Sequence, residues 1–229
     1  MITVRKNYER GITELGWLHS KHTFSFGDYH DPCYRGVSAL RVINDDHVEP
    51  GKGFPTHSHQ DMEIISYIID GALEHKDNLG NVEKITAGGF QLISAGTGIT
   101  HSEYNASQTD PLRFLQIWIT PHEMGVTPGY QQRHYTREHD VQLIVSPDGR
   151  DGTLRIHQDA FLYWVLLDRN GRIFQEQIDG RTAYIHVVSG ILDIEGKILK
   201  EGDGAVIQHV GLLRLRTDLG TEALFFDLP

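Results

Sequence analysis

Residues 67–93 read YIIDGALEHKDNLGNVEKITAGGFQLI, and residues 186–207 read HVVSGILDIEGKILKEGDGAVI. The two stretches share one plan. Each opens on an aromatic residue or a histidine followed by two β-branched residues. Each then turns on a glycine, continues with an apolar–acid pair, and makes a second glycine turn into an apolar strand. Gly71 matches Gly190, and Gly88 matches Gly202. A repeated unit of this kind predicts two β-barrel domains of one type in a single chain. Short apolar runs elsewhere agree: 37–44, 62–69, 113–119, 141–145, 161–167 and 223–228. Turn residues such as Asp70-Gly71, Gly88-Gly89, Asn170-Gly171 and Ser189-Gly190 bound most of the runs. Many short strands with this punctuation is an all-β pattern. No stretch sustains a long 3.6-residue period, and a single short helix is expected at residues 136–140. The polar, Pro/Gly-rich stretch TPHEMGVTPGYQQRH, residues 120–134, reads as a connector. The expected division is 1–130 for the first domain and 131–229 for the second.

Composition narrows the classes of function. The chain has 229 residues, with 21 Lys+Arg against 31 Asp+Glu and a formal net charge of −10. An acidic chain without a Lys/Arg run is a poor binder of nucleic acid, whose recognition depends on clustered cations. The single cysteine, Cys33, closes no intrachain disulfide and has no activating partner in its neighbourhood of sequence. No apolar run approaches the ~20 residues of a membrane helix, and the opening residues lack the apolar core of a secretory signal. A cytoplasmic protein without membrane contact is expected. Histidine is the unusual count, at 14.

Three of those histidines form a pattern. His57-Ser58-His59 stands just before a strand-like run, and in an extended chain residues i and i+2 point to one face. His57 and His59 are therefore expected to aim into the same barrel. His101-Ser102-Glu103 repeats the device with an imidazole and a carboxylate. Two strand edges giving two nitrogen or oxygen donors each make a four-ligand metal site with open positions. Such a set suits iron, manganese, nickel, copper, cobalt or zinc. Glu63 shares the strand parity of His57 and His59 and competes for the fourth place.

The stretch GKGFPTHSHQDME, residues 51–63, follows the first cupin motif, G-x5-H-x-H-x3-E. The stretch GITHSEYN, residues 98–105, follows the end of the second, G-x2-H-x3-N. Gly96 stands where that motif usually has proline, and Gly71 falls one residue late. These departures resemble those of the pirin family. HTFSFGDYHDP (22–32), LRVINDD (40–46), THSHQDMEIISYIIDG (56–71), EHKDNLGN (74–81) and SAGTGITHSEYN (94–105) all look like pirin segments. The resemblance is to the bacterial branch described as quercetin 2,3-dioxygenases, and it covers nearly the whole chain.

The resemblance implies two cupin-type, jelly-roll β-barrel domains. It implies one metal, most commonly Fe(II), held by His57, His59, His101 and Glu103, with Glu63 supporting a ligand imidazole. It implies a flavonol such as quercetin as substrate, cleaved by O2 with loss of CO, and Glu103 doubling as proton acceptor. The alternative is a non-enzymatic regulator whose metal oxidation state is read by a protein partner. A cupin isomerase or a binder of small phenolics is a third reading.

The second half is expected to be without metal. The repeat offset carries His57 and His59 onto Glu176 and Ile178, and His101 and Glu103 onto Leu215 and Thr217. No H-x-H follows residue 140. Elsewhere, His22 and His30 stand either near the first pocket or in an ordered turn. His75 is expected in a hairpin or at the surface. Trp118 and Trp164 are expected in the core. Phe24, Phe26, Phe54 and Met62 are candidates for an apolar pocket wall, with core packing the default.

Overall fold

The computed structural model describes residues 1–176 and 180–229. Apart from two single-turn 3-10 helices at Asn7–Glu9 and Arg150–Gly152, its regular structure is all strand. No described helix is long and apolar enough to cross a membrane. Residues 136–140 form no helix. Arg137 there pairs with the side chains of Asp140 and Asp168 and donates to the Leu166 carbonyl, which anchors an irregular segment.

The first barrel is a sandwich of two antiparallel sheets. The seven-stranded sheet runs Gly129–His134, Gly89–Ser94, Glu63–Asp70, Leu112–Ile119, Leu40–Val48, Leu18–His22, Gly11–Glu14. Facing it is a four-stranded sheet of Gly53–His59, Ile99–Asn105, Ala72–Asp77 and Val82–Thr86. The second barrel is built on one ten-stranded sheet. Its spine is the 13-residue strand Thr182–Ile194, which pairs with Gly204–Gln208 and Thr221–Leu228 at one end and Lys197–Lys200 and Leu212–Arg216 at the other.

The repeat read in the sequence has a backbone cause. Gly71 and Gly190 have φ of +81° and +80°, and Gly88 and Gly202 have +82° and +78°. A Cβ on Gly71 would lie 2.6 Å from the Pro111 carbonyl oxygen, and one on Gly190 would lie 2.3 Å from that of Gly220. In both barrels the chain turns at this corner in a left-handed conformation that excludes side chains, against the start of the last strand of the repeat.

The two halves interlock at their ends. The strand Ile2–Arg5 pairs with Gly204–Gln208 in the second sheet, whereas Gly129–His134 pairs with Gly89–Ser94 in the first. The expected division after residue 130 therefore falls inside a strand. Between the barrels lies one shared core. Leu40, Ile43, Ile65, Tyr67, Phe90, Leu92 and Leu115 of the first half pack with Ile144, Trp164, Leu224 and Phe226 of the second. This explains a run such as EIISYIID, apolar on both faces. Ile65 and Tyr67 face the second barrel, while Ile64 and Ile68 pack in other clusters. Burying one such side chain stabilises by about 1.5–3 kcal/mol, so a strand apolar on both faces is the natural wall between two barrels.

Candidate metal centre

Three adjacent strands of the four-stranded sheet bring the site together. The register sets His57 opposite His101, and His101 opposite Asp77. One step away it sets Phe54 opposite Glu103, and Glu103 opposite His75. A bulge between His101 and Glu103 adjusts the pairing to the His57 strand, a common device for aiming side chains at a site. The i, i+2 rule then holds three times, for His57 and His59, for His101 and Glu103, and for His75 and Asp77.

The three imidazoles of His57, His59 and His101 converge, offering one ring nitrogen each with all three atoms within 4.8 Å of one another. Their ring centroids lie 4.5–5.0 Å apart. His57 Nδ1 is 2.8 Å from the Pro55 carbonyl, which only accepts, so Nδ1 carries the proton and Nε2 keeps its lone pair. His101 is buried with both ring nitrogens unpartnered. Burial, reinforced by the neighbouring imidazoles, lowers the His101 pKa to about 3 and that of His59 to about 4. These rings are neutral at physiological pH and present lone pairs. Unpartnered nitrogens in such a setting fit a divalent transition metal.

Glu103 is fully buried and groups within 4.8 Å with His101 and His75, not with all three of the other imidazoles. Its carboxylate accepts from Ser66 Oγ at 3.4 Å, from Gln116 Nε2 at 3.0 Å and from Gln91 Nε2. Burial nevertheless outweighs these bonds and pushes its pKa up to about 7. The three donors have one origin. Gln91, Ser66 and Gln116 stand in register on neighbouring strands, and the row continues through Asn44 to His22. Gln91, Ser66 and Gln116 each interrupt an apolar stretch inside their strand, FQLI, IISYII and FLQIWI. That interruption is the sequence signal by which the row could have been found.

Other expected roles fall differently. Glu63 is buried but faces away from the imidazoles: it accepts from Ser94 Oγ at 2.9 Å and meets His157 Nδ1 of the second half at 3.2 Å. Asp61, with φ of +50°, lies in the turn between the two strands and resets the parity that had grouped Glu63 with His57 and His59. His75 is wholly buried, not at the surface, and stacks on Tyr130 with centroids 4.3 Å apart. Asn105 ties three backbone carbonyls, of Val48, Glu49 and Asp110, with its amide.

An apolar-walled pocket of about 460 Å³ opens beside His57 and His59. That volume is within the range of small-molecule sites. Phe26, Phe54 and Trp118 line it, and so does His22, which is held between Thr13 and Asn44 at 2.8 Å each. Trp118 is therefore a pocket residue, its ring edge-on to His59 with centroids 5.0 Å apart. Phe24 and Trp164 are core, while His30 and Cys33 are exposed.

The second barrel has a different interior. Leu215, the counterpart of His101, is fully buried among Ile185, Val187, Leu192 and Leu199, and Thr217 is buried near it. Glu176 ends the strand Arg172–Glu176, and Ile178 lies outside the described residues.

The fold and site thus define a two-barrel protein of cupin type whose first barrel gathers His57, His59 and His101 in an arrangement that fits a metal ion. A Pirin family profile matches residues 3–119, and one for a quercetinase C-terminal cupin domain matches residues 143–228. The chain belongs to the pirin family. It is 49% identical over 230 residues to a quercetin 2,3-dioxygenase of Escherichia coli K12, covering 100% of this chain and 99% of that protein. A putative quercetin 2,3-dioxygenase of Pasteurella multocida is 39% identical, with 100% of both chains covered. The crystal structure of the bacterial pirin YhhW of E. coli in complex with nickel(II) has a TM-score of 0.97 and 48% identity, covering 100% of this chain and 99% of that one.

Proposed function

We propose that the protein is a metal-dependent dioxygenase that cleaves flavonols such as quercetin with O2, and that His57, His59, His101 and Glu103 hold its metal. The observation that carries this reading is the buried, neutral, partnerless His101 facing His57 and His59, which themselves line the pocket. The nickel complex of a relative 48% identical supports a divalent ion, and Fe(II) is the ion proposed for catalysis.

A metal bound there supplies Lewis acidity toward an enolic hydroxyl and its adjacent carbonyl, and a place for O2 to react. The protein supplies the rest. Phe26, Phe54 and Trp118 hold a flat aromatic substrate and exclude water from it. Glu103, with its pKa raised to about 7, is suited to take the proton of the 3-hydroxyl, since a base titrating near the working pH both accepts and releases protons readily. Gln91, Gln116 and Ser66 hold that carboxylate in place while it does so. Flavonol and O2 are consumed together, and one carbon leaves as CO.

The test is quercetin decay with matched O2 uptake by the Fe(II)-loaded protein. His57→Ala and Glu103→Ala are expected to abolish both. Metal-loaded wild-type protein without turnover refutes the enzymatic reading.

A further inference from the structure

His75 has no exposed surface and lies at the centre of a chain of contacts. Its Nε2 is 2.9 Å from Asp77 Oδ2. The Asp77 carboxylate is fixed in turn by the backbone N–H groups of Leu79 and Asn81, at 2.9 and 3.1 Å, and by the Asn81 side-chain amide at 2.8 Å. A carboxylate receiving several donors acts as an acceptor, so Nε2 carries the His75 proton and Nδ1 keeps its lone pair. That Nδ1 is buried and has no partner. Tyr130 lies flat against the ring, with an interplanar angle of 20°.

His101 presents the complementary need. An imidazole that gives one nitrogen to a metal carries a proton on the other, and a buried N–H needs an acceptor. His57 meets this need at the Pro55 carbonyl. His101 meets it nowhere, since both its nitrogens are unpartnered. Glu103 Oε1 already receives Ser66 and Gln91, and Oε2 receives Gln116, which leaves on Oε2 the lone pair assigned above to the metal. The free lone pair of His75 is adjacent: the two ring centroids are 5.4 Å apart, and the donor atoms of His75, His101 and Glu103 lie within 4.8 Å. Two imidazoles joined by one hydrogen bond of ordinary length have centroids roughly 5 Å apart, so the His75 and His101 rings stand at about the separation that such a bond requires. Of His57, His59 and His101, only His101 is in described ring contact with His75.

We propose that His75 Nδ1 accepts the hydrogen of the His101 ring nitrogen turned away from the metal, so that Asp77, His75 and His101 form one fixed chain that orients a metal ligand. His75 is then a positioning residue, not a ligand. The inference rests on His57, His59 and His101 being the imidazole ligands proposed above. One such contact removes two buried vacancies, at His75 Nδ1 and at a His101 ring nitrogen.

The test uses the full chain and Ni(II), with affinity measured by chelator competition. His75→Phe keeps the ring against Tyr130 and removes the acceptor, and it is expected to weaken Ni(II) binding roughly 10–100-fold. His75→Asn restores an acceptor near the place of Nδ1 and is expected to recover much of that loss. Nitrogen-15 spectra of Zn(II)-loaded wild-type protein, which need no variant, are expected to show His75 protonated at Nε2 with Nδ1 as an acceptor. Wild-type protein that takes up no metal refutes the ligand reading and this inference with it. Wild-type protein that binds Ni(II) while His75→Phe binds equally well overturns this inference alone. So does a His75 that is protonated at Nδ1 or bonded directly to the metal.

Discussion

At Gly71 and Gly190 the two barrels turn the same corner with the same backbone angle, and a few residues later they part. The offset that relates those glycines relates His75 to Ile194, and the offset between Gly88 and Gly202 relates His101 to Leu215. The first member of each pair is a buried imidazole lacking a full set of partners, whereas the second is an aliphatic side chain in a closed apolar core. A polar interior costs stability unless each group is bonded. The first barrel carries that cost at His75, His101 and Glu103, and the shared core between the barrels offsets it. The comparison teaches how a duplicated fold divides labour: one copy holds a site that is poor in stabilising contacts, and the other supplies the surface against which it packs.

The sharpest way to break this comparison is to exchange the defects. His101→Ala is expected to abolish metal uptake and turnover while changing the thermal stability of the metal-free protein little, because both nitrogens of that buried ring are without a partner there. Leu215→Ala is expected to do the reverse. It costs about 2–5 kcal/mol by cavity formation and leaves metal stoichiometry unchanged. Metal analysis and denaturant unfolding on the two variants read both effects. A Leu215→Ala protein that folds normally but loses its metal would show that the barrels are not so divided.

A smaller effect is expected at the seam. Glu63 bonds Ser94 and reaches His157 across the interface. Glu63→Gln is expected to destabilise by about 1–3 kcal/mol, with a hydrogen bond to a charged group at stake, and to leave metal affinity near wild type. A large loss of metal affinity would return Glu63 to the ligand shell. A double-mutant cycle with His157→Ala isolates the bond.

A further effect separates the barrels by pH. His186 of the second barrel is wholly buried, and desolvation followed by the nearby Arg10 charge lowers its pKa to about 3. The unfolded chain takes up a proton near pH 6.5 that the folded one refuses. Its contribution to stability is therefore present above pH 6.5 and lost as pH falls toward 3. His186→Gln is expected to flatten the decline in unfolding free energy between pH 6.5 and 4, by up to one proton in slope. An unchanged slope would mean that His186 is protonated in the folded protein.

Much of this was legible in the sequence, and the failures have definite physical causes. Strand runs, glycine corners and the H-x-H and H-x-E spacings all depend on local geometry, and local geometry is what a sequence displays. The same i, i+2 spacing at His75 and Asp77 was equally visible, but a hairpin strand does not announce which of its faces is inside. Strand parity carried through the turn at Asp61, where alternation stops, puts Glu63 on the wrong face. Trp118 looked like core because an apolar strand residue looks the same whether it fills a core or walls a pocket. The helix expected at residues 136–140 had no long-range information to correct it, since the side chain of Asp168 that holds Arg137 lies 31 residues away. The polar row from Gln91 to His22 crosses five strands, so no local window contains it.

The most direct test is a crystal of Ni(II)- or Fe(II)-loaded protein examined for anomalous scattering. The account predicts one strong peak in the first barrel, about 2.1 Å from a nitrogen of each of His57, His59 and His101, with Glu103 as the fourth protein ligand and no peak in the second barrel. A loaded crystal with no peak among those three imidazoles, or with its metal elsewhere in the chain, would contradict it.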